Sequence, residues 1–341
     1  MFRRQNKIPS AEEILAAQPL PASLQKIKRE RDELCKDVIA GRTDKLLVVI
    51  GPCSAHEKAP VLEYVRRLGA LNEKVKEKLV LVPRIYTNKP RSKGVGYKGM
   101  FSQPDPEEKE DIVKGIRTIR ELHLQAIELS GLTAADEMLY PENYAYMEDL
   151  LTYVAVGARS SENQMHRLVA SGIEVPVGIK NNTGGSLPVL LNSIYAAQSP
   201  QVFKYHSWQV ATEGNQYAHA VLRGMESTSG TDIPNFHYET VMRVAEEYAA
   251  RSDLHMPAII IDTNHSNSGK KFAQQIRIVN EVMQNRLYDG GFKKIVKGFM
   301  IESFLVEGCQ KHDVVFGQSI TDPCLGWEDT ERLVLSIAEN V

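Results

Sequence analysis

Eight short apolar runs, rich in β-branched residues, recur along the chain: Leu46–Ile50, Leu79–Ile85, Leu132–Met138, Tyr153–Gly157, Val175–Ile179, Ala218–Leu222, Ala258–Ile261 and Ile295–Ile301. They read as strands, and helical patterns lie between them. The clearest helix runs from Pro106 to Ser130. There Ile112, Ile116, Ile119, Leu122 and Ile127 form one stripe, Glu107, Glu108, Glu110 and Asp111 suit an N-terminus, and Gly131 stands where the helix should end. Strands alternating with helices predict parallel pairing through right-handed crossovers, and the simplest closure is an α/β fold, a (β/α)8 TIM barrel. A doubly wound open sheet is the competitor. No GxGxxG follows the first strand, and NTGGS and DGG are too sparse for a dinucleotide loop, so these glycines read as turns.

A minimal barrel needs about 250 residues, which leaves roughly 90. Residues 1–44 take up part of the excess, with an amphipathic helix around Leu24 to Ile39 that carries the charge run KIKRERDE. Gln201 to Thr212 takes up more, alternating like a hairpin. The expected organisation is an N-terminal helical extension over 1–44 and a barrel over 45–341 with an inserted β-hairpin near 201–212. Both extras read as oligomer or regulatory surfaces of a homodimer or homotetramer.

Composition excludes several classes. Hydrophobic residues make up 43% and charged residues 25% of the 341, as in a soluble globular protein. No apolar run approaches the roughly 18 residues of a membrane span, and MFRRQNKIPS lacks the apolar core of a secretory signal, so a cytoplasmic location is expected. Cys35, Cys53, Cys309 and Cys324 show no CxxC spacing, which argues against a zinc knuckle or a disulfide framework. A net charge of −2 offers no global field to nucleic acid or to a membrane surface, so any anion site must be local.

One local candidate is the segment RIYTNKPRSKGVGYK, from Arg84 to Lys98, which sets Arg84, Lys89, Arg91, Ser92 and Lys93 after an apolar run. Alone it reads more readily as a solvated basic loop than as an anion clamp. The other strand ends reverse that ranking, because in a barrel they face the active site. They carry Gly51-Pro52-Cys53-Ser54, Glu137, Arg159, Lys180, Arg223, Asp262 with His265, and Glu302, with Asp322 in the last loop. Arg84, Lys89, Arg159, Lys180 and Arg223 are more cations than one carboxylate requires and suit a phosphorylated acid. Cys53, His265, Glu302 and Asp322 combine a thiolate, an imidazole and two carboxylates, a donor set for a first-row divalent ion such as Mn, Fe, Co or Zn. Each ligand also has a structural reading. Cys53 could be a small buried hydrophobe, His265 a helix cap, and Glu302 and Asp322 partners of the cations. Trp208 and Trp327 read as packing anchors, His166 and His219 as structural histidines, and Met138 as core.

At this point the motifs match a family. GPCS at Gly51, KPR at Lys89, GYKG at Gly96, GAR at Gly157, SENQMHRLVASG at Ser161, PVGIKN at Pro176, LRG at Leu222, DTNHSNS at Asp262, ESFLVEG at Glu302 and SITDPCLGWEDT at Ser319 follow in order. Together they resemble the class I 3-deoxy-D-arabino-heptulosonate 7-phosphate (DAHP) synthases, over about residues 20–335. The resemblance implies a barrel transferase of the shikimate pathway that condenses phosphoenolpyruvate with erythrose 4-phosphate and releases phosphate. It implies Cys53, His265, Glu302 and Asp322 as metal ligands, and Arg84, Lys89, Glu137, Ala158, Arg159, Lys180 and Arg223 around phosphoenolpyruvate. Lys89, Pro90, Arg91, Ser92 and Asp322 fall to the sugar phosphate, and on chemical grounds Lys89, near the aldehyde oxygen, is expected to supply or relay the proton to the new alkoxide.

The commonest family pattern reads KPRTTVGWKG. Here KPRSKGVGYKG is one residue longer, with Ser92 keeping a hydroxyl and Lys93 and Gly94 free to reshape the second-substrate pocket. Phe304 stands where many members have histidine, and Tyr140 to Tyr146 departs from regulated relatives, so an aromatic amino acid is a possible effector whose presence and identity the sequence leaves open. Competing readings are a sister synthase using arabinose 5-phosphate, a Schiff-base aldolase using Lys180, and a noncatalytic phosphosugar sensor.

Overall fold

Alternation within the first strand sorts the core into two layers. In β1 (Leu46–Gly51) Leu46, Val48 and Ile50 join an outer cluster beneath the helices, while Leu47 and Val49 join an inner cluster with Val80, Val82, Ala155, Val221 and Ile260. A period of two therefore decides which residues fill the barrel. The computed structural model describes residues 1–91, 94–312 and 314–341.

The other barrel strands are β2 (Leu79–Pro83), β3 (Ala134–Glu137), β4 (Leu151–Val156), β5 (Val177–Lys180), β6 (Ala218–Leu222), β7 (Ile259–Asp262) and β8 (Val296–Glu302). All pair in parallel, in the order β2-β1-β8-β7-β6-β5-β4-β3. The eight-stranded barrel expected from the sequence is present. Its seam between β2 and β3 is thin, resting on a single parallel bridge from Arg84 to Ala135. Asp136 reinforces it by accepting from the backbone N–H of Thr87 at 2.9 Å and from the Thr87 hydroxyl. Burial raises the Asp136 carboxyl to about 7 against those hydrogen bonds.

At the bottom, helix Ala22–Ala40 plugs the barrel. Its Cys35, Val38 and Ile39 belong to the inner cluster, and its buried Arg31 donates to the carbonyl of Leu81. Gly41, at φ 71°, ends it in the left-handed conformation.

Two details differ from expectation. The helix placed over 106–130 spans Ile112–Ser130, because the Asp111 carboxylate accepts from Lys114 N at 3.0 Å and caps it there. Glu107, Glu108 and Glu110 precede the helix, and Ile112 is exposed. Trp208 is not a packing anchor. It lies on the hairpin of Gln201–Tyr205 with Trp208–Thr212, covered on one face only, and is 69% exposed. Trp327 packs edge-on against Tyr64, with ring centroids 5.5 Å apart.

Candidate active site

Parallel strands deliver their C-terminal residues to one rim, and a cavity of about 330 Å3 opens there. Seven lysines and arginines line it (Arg84, Lys89, Arg91, Arg159, Lys180, Arg223 and Lys270) against three carboxylates, Glu137, Glu226 and Asp322. That excess of positive charge suits an anionic substrate.

Three of the four donors expected for a metal come together, two from the ends of β1 and β8 and one from the last loop. Ligand atoms of Cys53, Glu302 and Asp322 lie within 4.8 Å of one another. The Cys53 thiol points at Asp322 Oδ2, 3.3 Å away, and Lys89 Nζ sits between them, 2.7 Å from Sγ and 3.0 Å from the carboxylate. His265 stands one step outside this cluster. Its Nε2 is 3.9 Å from Glu302 Oε1, its Nδ1 is 2.9 Å from Asp262 Oδ2, and its backbone has φ 45°. Glu302 is held from both sides by Arg84 Nη2 at 3.1 Å and Asn264 Nδ2 at 2.6 Å.

Electrostatics follow from this crowding. Burial and the Glu302 carboxylate push the Cys53 thiol up, against the pull of Lys89. Burial alone would lower Lys89, but the charges of Cys53 and Asp322 outweigh it and raise it. Asp322 resists its own burial because Lys89 and Lys270 hold it below the usual carboxylate range. A thiol and two carboxylates whose ligand atoms already lie within 4.8 Å of one another fit a divalent cation in both charge and donor chemistry.

The cation set surrounds this cluster. Arg84 stacks on Tyr86 at 3.7 Å and donates to the carbonyl of Pro52. Lys180 Nζ meets Asp262 at 2.9 Å, and Arg223 Nη1 donates to Ser266 at 3.1 Å. The Nε atoms of Arg84 and Arg223 are sealed from solvent without a partner among the described residues, as expected where a ligand supplies the acceptors. Arg159 is exposed at the rim beside Ala158. Glu137 reaches the cavity because Gly157 has no side chain; a Cβ there would lie 2.4 Å from Glu137 Oε1. Pro90 lines the cavity, as does Arg91, whose Nε donates to Tyr97 O at 2.8 Å. Ser92 and Lys93 lie outside the described residues.

Sequence reasoning missed Lys270, 3.4 Å from Asp322, and the holding roles of Asn264 and Asp262. Asp262 carried a signal, since it closes a strand three positions before His265. Lys270 carried none beyond following the DTNHSNS motif.

A parallel barrel whose C-terminal rim gathers cations around a metal-type donor set defines an enzyme acting on phosphorylated acids. The sequence matches the DAHP synthetase I family over residues 20–335, and the chain belongs to that family of metal-dependent enzymes. A relative from Escherichia coli (strain K12), the Phe-sensitive phospho-2-dehydro-3-deoxyheptonate aldolase, is 41% identical over 314 residues, covering 89% of this chain and 86% of the relative. The Tyr-sensitive phospho-2-dehydro-3-deoxyheptonate aldolase of Salmonella typhimurium is 36% identical over 340 residues, covering 97% and 92%. The solved structure of phospho-2-dehydro-3-deoxyheptonate aldolase from Francisella tularensis SCHU S4 superposes with a TM-score of 0.91 at 32% identity, covering 100% of this chain and 98% of that one. Among the described residues no helix is long and apolar enough to cross a membrane.

Proposed function

We propose that this chain condenses phosphoenolpyruvate with D-erythrose 4-phosphate and water, giving 3-deoxy-D-arabino-heptulosonate 7-phosphate and inorganic phosphate, the reaction that opens the shikimate route. The observation that carries this reading is the meeting of Cys53, Glu302 and Asp322 with Arg84, Lys180 and Arg223 at one rim of the barrel. Cys53, His265, Glu302 and Asp322 would hold a first-row divalent ion, whose chemistry is Lewis acidity toward the aldehyde oxygen. His265 would complete the set through Nε2, which is 3.9 Å from Glu302 Oε1, while Nδ1 stays against Asp262.

The chain's own groups do the rest. Arg84, Lys180 and Arg223, with Arg159 at the rim and Glu137 and Ala158 beside them, hold the phosphate and carboxylate of phosphoenolpyruvate in register. An encounter of two molecules then becomes an oriented one. Pro90, Arg91 and Ser92, with Lys89 and Asp322 adjoining, receive the sugar phosphate. Carbon 3 of phosphoenolpyruvate attacks the aldehyde, Lys89 gives a proton to the new alkoxide, water adds at carbon 2 and phosphate leaves. Lys180 is committed to Asp262, which speaks against a Schiff-base role.

The testing assay follows loss of phosphoenolpyruvate absorbance with erythrose 4-phosphate or arabinose 5-phosphate, before and after chelation and metal add-back. Turnover with the four-carbon sugar that chelation abolishes and metal restores is expected. No loss with either sugar would reject the synthase reading.

A second cavity, about 680 Å3, lies at the hairpin beside helix Gln164–Ala170 and is lined in part by Tyr144, Phe203 and Tyr205. Two relatives are named for sensitivity to phenylalanine or tyrosine, and we read this cavity as a seat for an aromatic amino acid effector. Inhibition by one aromatic amino acid that Phe203→Ala relieves is the expected result. The N-terminal extension and the hairpin, with its exposed Val202 and Trp208, serve as surfaces of a homo-oligomer. Sedimentation of a single protomer mass would refute that.

A further inference from the structure

At the opposite end of the barrel, where β1 and β8 begin, lies another cationic cavity of about 230 Å3. Lys45, Arg286, Lys293, Lys294 and Lys297 line it, with Asp44 as the one carboxylate among the lining residues. Lys45 donates its ammonium to Lys76 O at 2.6 Å. Among the described residues Lys293, Lys294 and Lys297 have no ion-pair partner.

Arg286, from helix Gln274–Tyr288, is only 6% exposed. Its Nη1 donates to Lys293 O at 2.9 Å and to Val296 O, whereas Nε and Nη2 make no hydrogen bond to a described residue. Neither atom is sealed inside the protein, so both are open to the hollow that Arg286 lines and can donate to an acceptor there. Lys297 is aimed by the backbone. Ile259 pairs with Val296 and Ile260 with Gly298, so Lys297 is the extra residue of a β-bulge, the device that redirects a side chain at a barrel rim. Gly41 leaves it room, since a Cβ there would lie 3.0 Å from Lys297 Nζ. Burial, with Arg286 and Lys294 nearby, lowers Lys297 from its ordinary value, and burial brings Arg286 down to about 10. Charges that destabilise one another in a shared hollow are what an anion relieves.

We propose that this lower cavity binds a phosphate group of a small molecule: inorganic phosphate, pyrophosphate or a compact phosphomonoester. Five cations around one carboxylate exceed what a lone carboxylate ligand needs, and the spare guanidinium donors suit a tetrahedral oxyanion. The volume lies below the about 300–1,000 Å3 of sites for larger ligands, which favours a compact anion. The proposal goes beyond the catalytic reading and does not depend on it.

The test is lysine acetylation of the full chain, read residue by residue by mass spectrometry, during titration with pyrophosphate at constant ionic strength. Lys294 and Lys297 should slow at least about fivefold along a saturable curve, while exposed Lys26 stays unchanged. In Lys294→Gln the concentration that half-protects Lys297 should rise about tenfold, with turnover unaltered. Three results would overturn the proposal. These are no protection of Lys297, slowing in parallel with Lys26, or protection that needs no anion and grows with protein concentration, which would place a second copy's acidic surface there. Failure of the synthase reading would appear in the absorbance assay alone and leave this labelling pattern intact.

Discussion

At the upper rim Arg84, Lys89 and Lys180 each face a carboxylate, Glu302 at 3.1 Å, Asp322 at 3.0 Å and Asp262 at 2.9 Å. At the lower rim Lys293, Lys294 and Lys297 have no such partner among the described residues. The carboxylates above do more than neutralise. They fix the direction of each cation, and Asp262 lies within reach of both Lys180 and His265. A reaction needs charges held in register before substrate arrives, and buried ion pairs supply that at the cost of desolvation. An anion-binding hollow needs only a favourable potential. The lower rim has that without the orienting partners.

The largest effect of a single substitution falls at Lys89, the cation that touches both Cys53 and Asp322. Lys89→Met should lower kcat by about 10²–10⁴-fold while metal content, read by elemental analysis, is retained. Full turnover with intact metal would remove Lys89 from the proton-transfer step. Asp262→Asn comes next. It leaves Lys180 buried beside a neutral partner and should cost about 3–5 kcal/mol in denaturant unfolding. By contrast Lys294→Gln with Lys297→Gln should leave stability within about 0.5 kcal/mol of the parent or raise it, since no pair is broken.

Between the two rims, the barrel interior tests a third kind of polar group. His219 is buried, with Nε2 2.9 Å from the Tyr153 hydroxyl and Nδ1 2.8 Å from Tyr217 O. Burial lowers it to about 4 from 6.5, against the help of the Tyr217 carbonyl. The unfolded chain therefore takes up this proton first on acidification. The contribution is fully present above pH 6.5 and is lost as pH falls through about 4, reaching about 3 kcal/mol. Unfolding free energies of parent and His219→Gln across that window should converge toward the acid end. Taking the difference separates His219 from Asp136, whose raised carboxyl acts in the opposite sense. The smallest effect belongs to Trp208→Ser, within about 0.5 kcal/mol for a side chain exposed on the hairpin.

The strand set was legible in the chain, because runs such as Leu46–Gly51 are apolar, β-branched and too short for helices, as strands buried on both faces are. The sequence by itself also determined which chemistry stands at the strand ends, since parallel topology sends Cys53, Arg84, Lys180, Arg223 and Glu302 to one rim. Local capping moved the helix start from Pro106 to Ile112, a choice made by one hydrogen bond that periodicity cannot register. The partners were decided only in three dimensions: Asp262 for Lys180, Asn264 for Glu302, Lys270 for Asp322. So was the lower cavity, where Lys45 meets Arg286 and Lys297, far along the chain, because β1 and β8 are neighbours. Residue type and spacing specify what a group can do. Whether its charge is paired or left for a ligand depends on which side chains the closed barrel brings within a few ångströms.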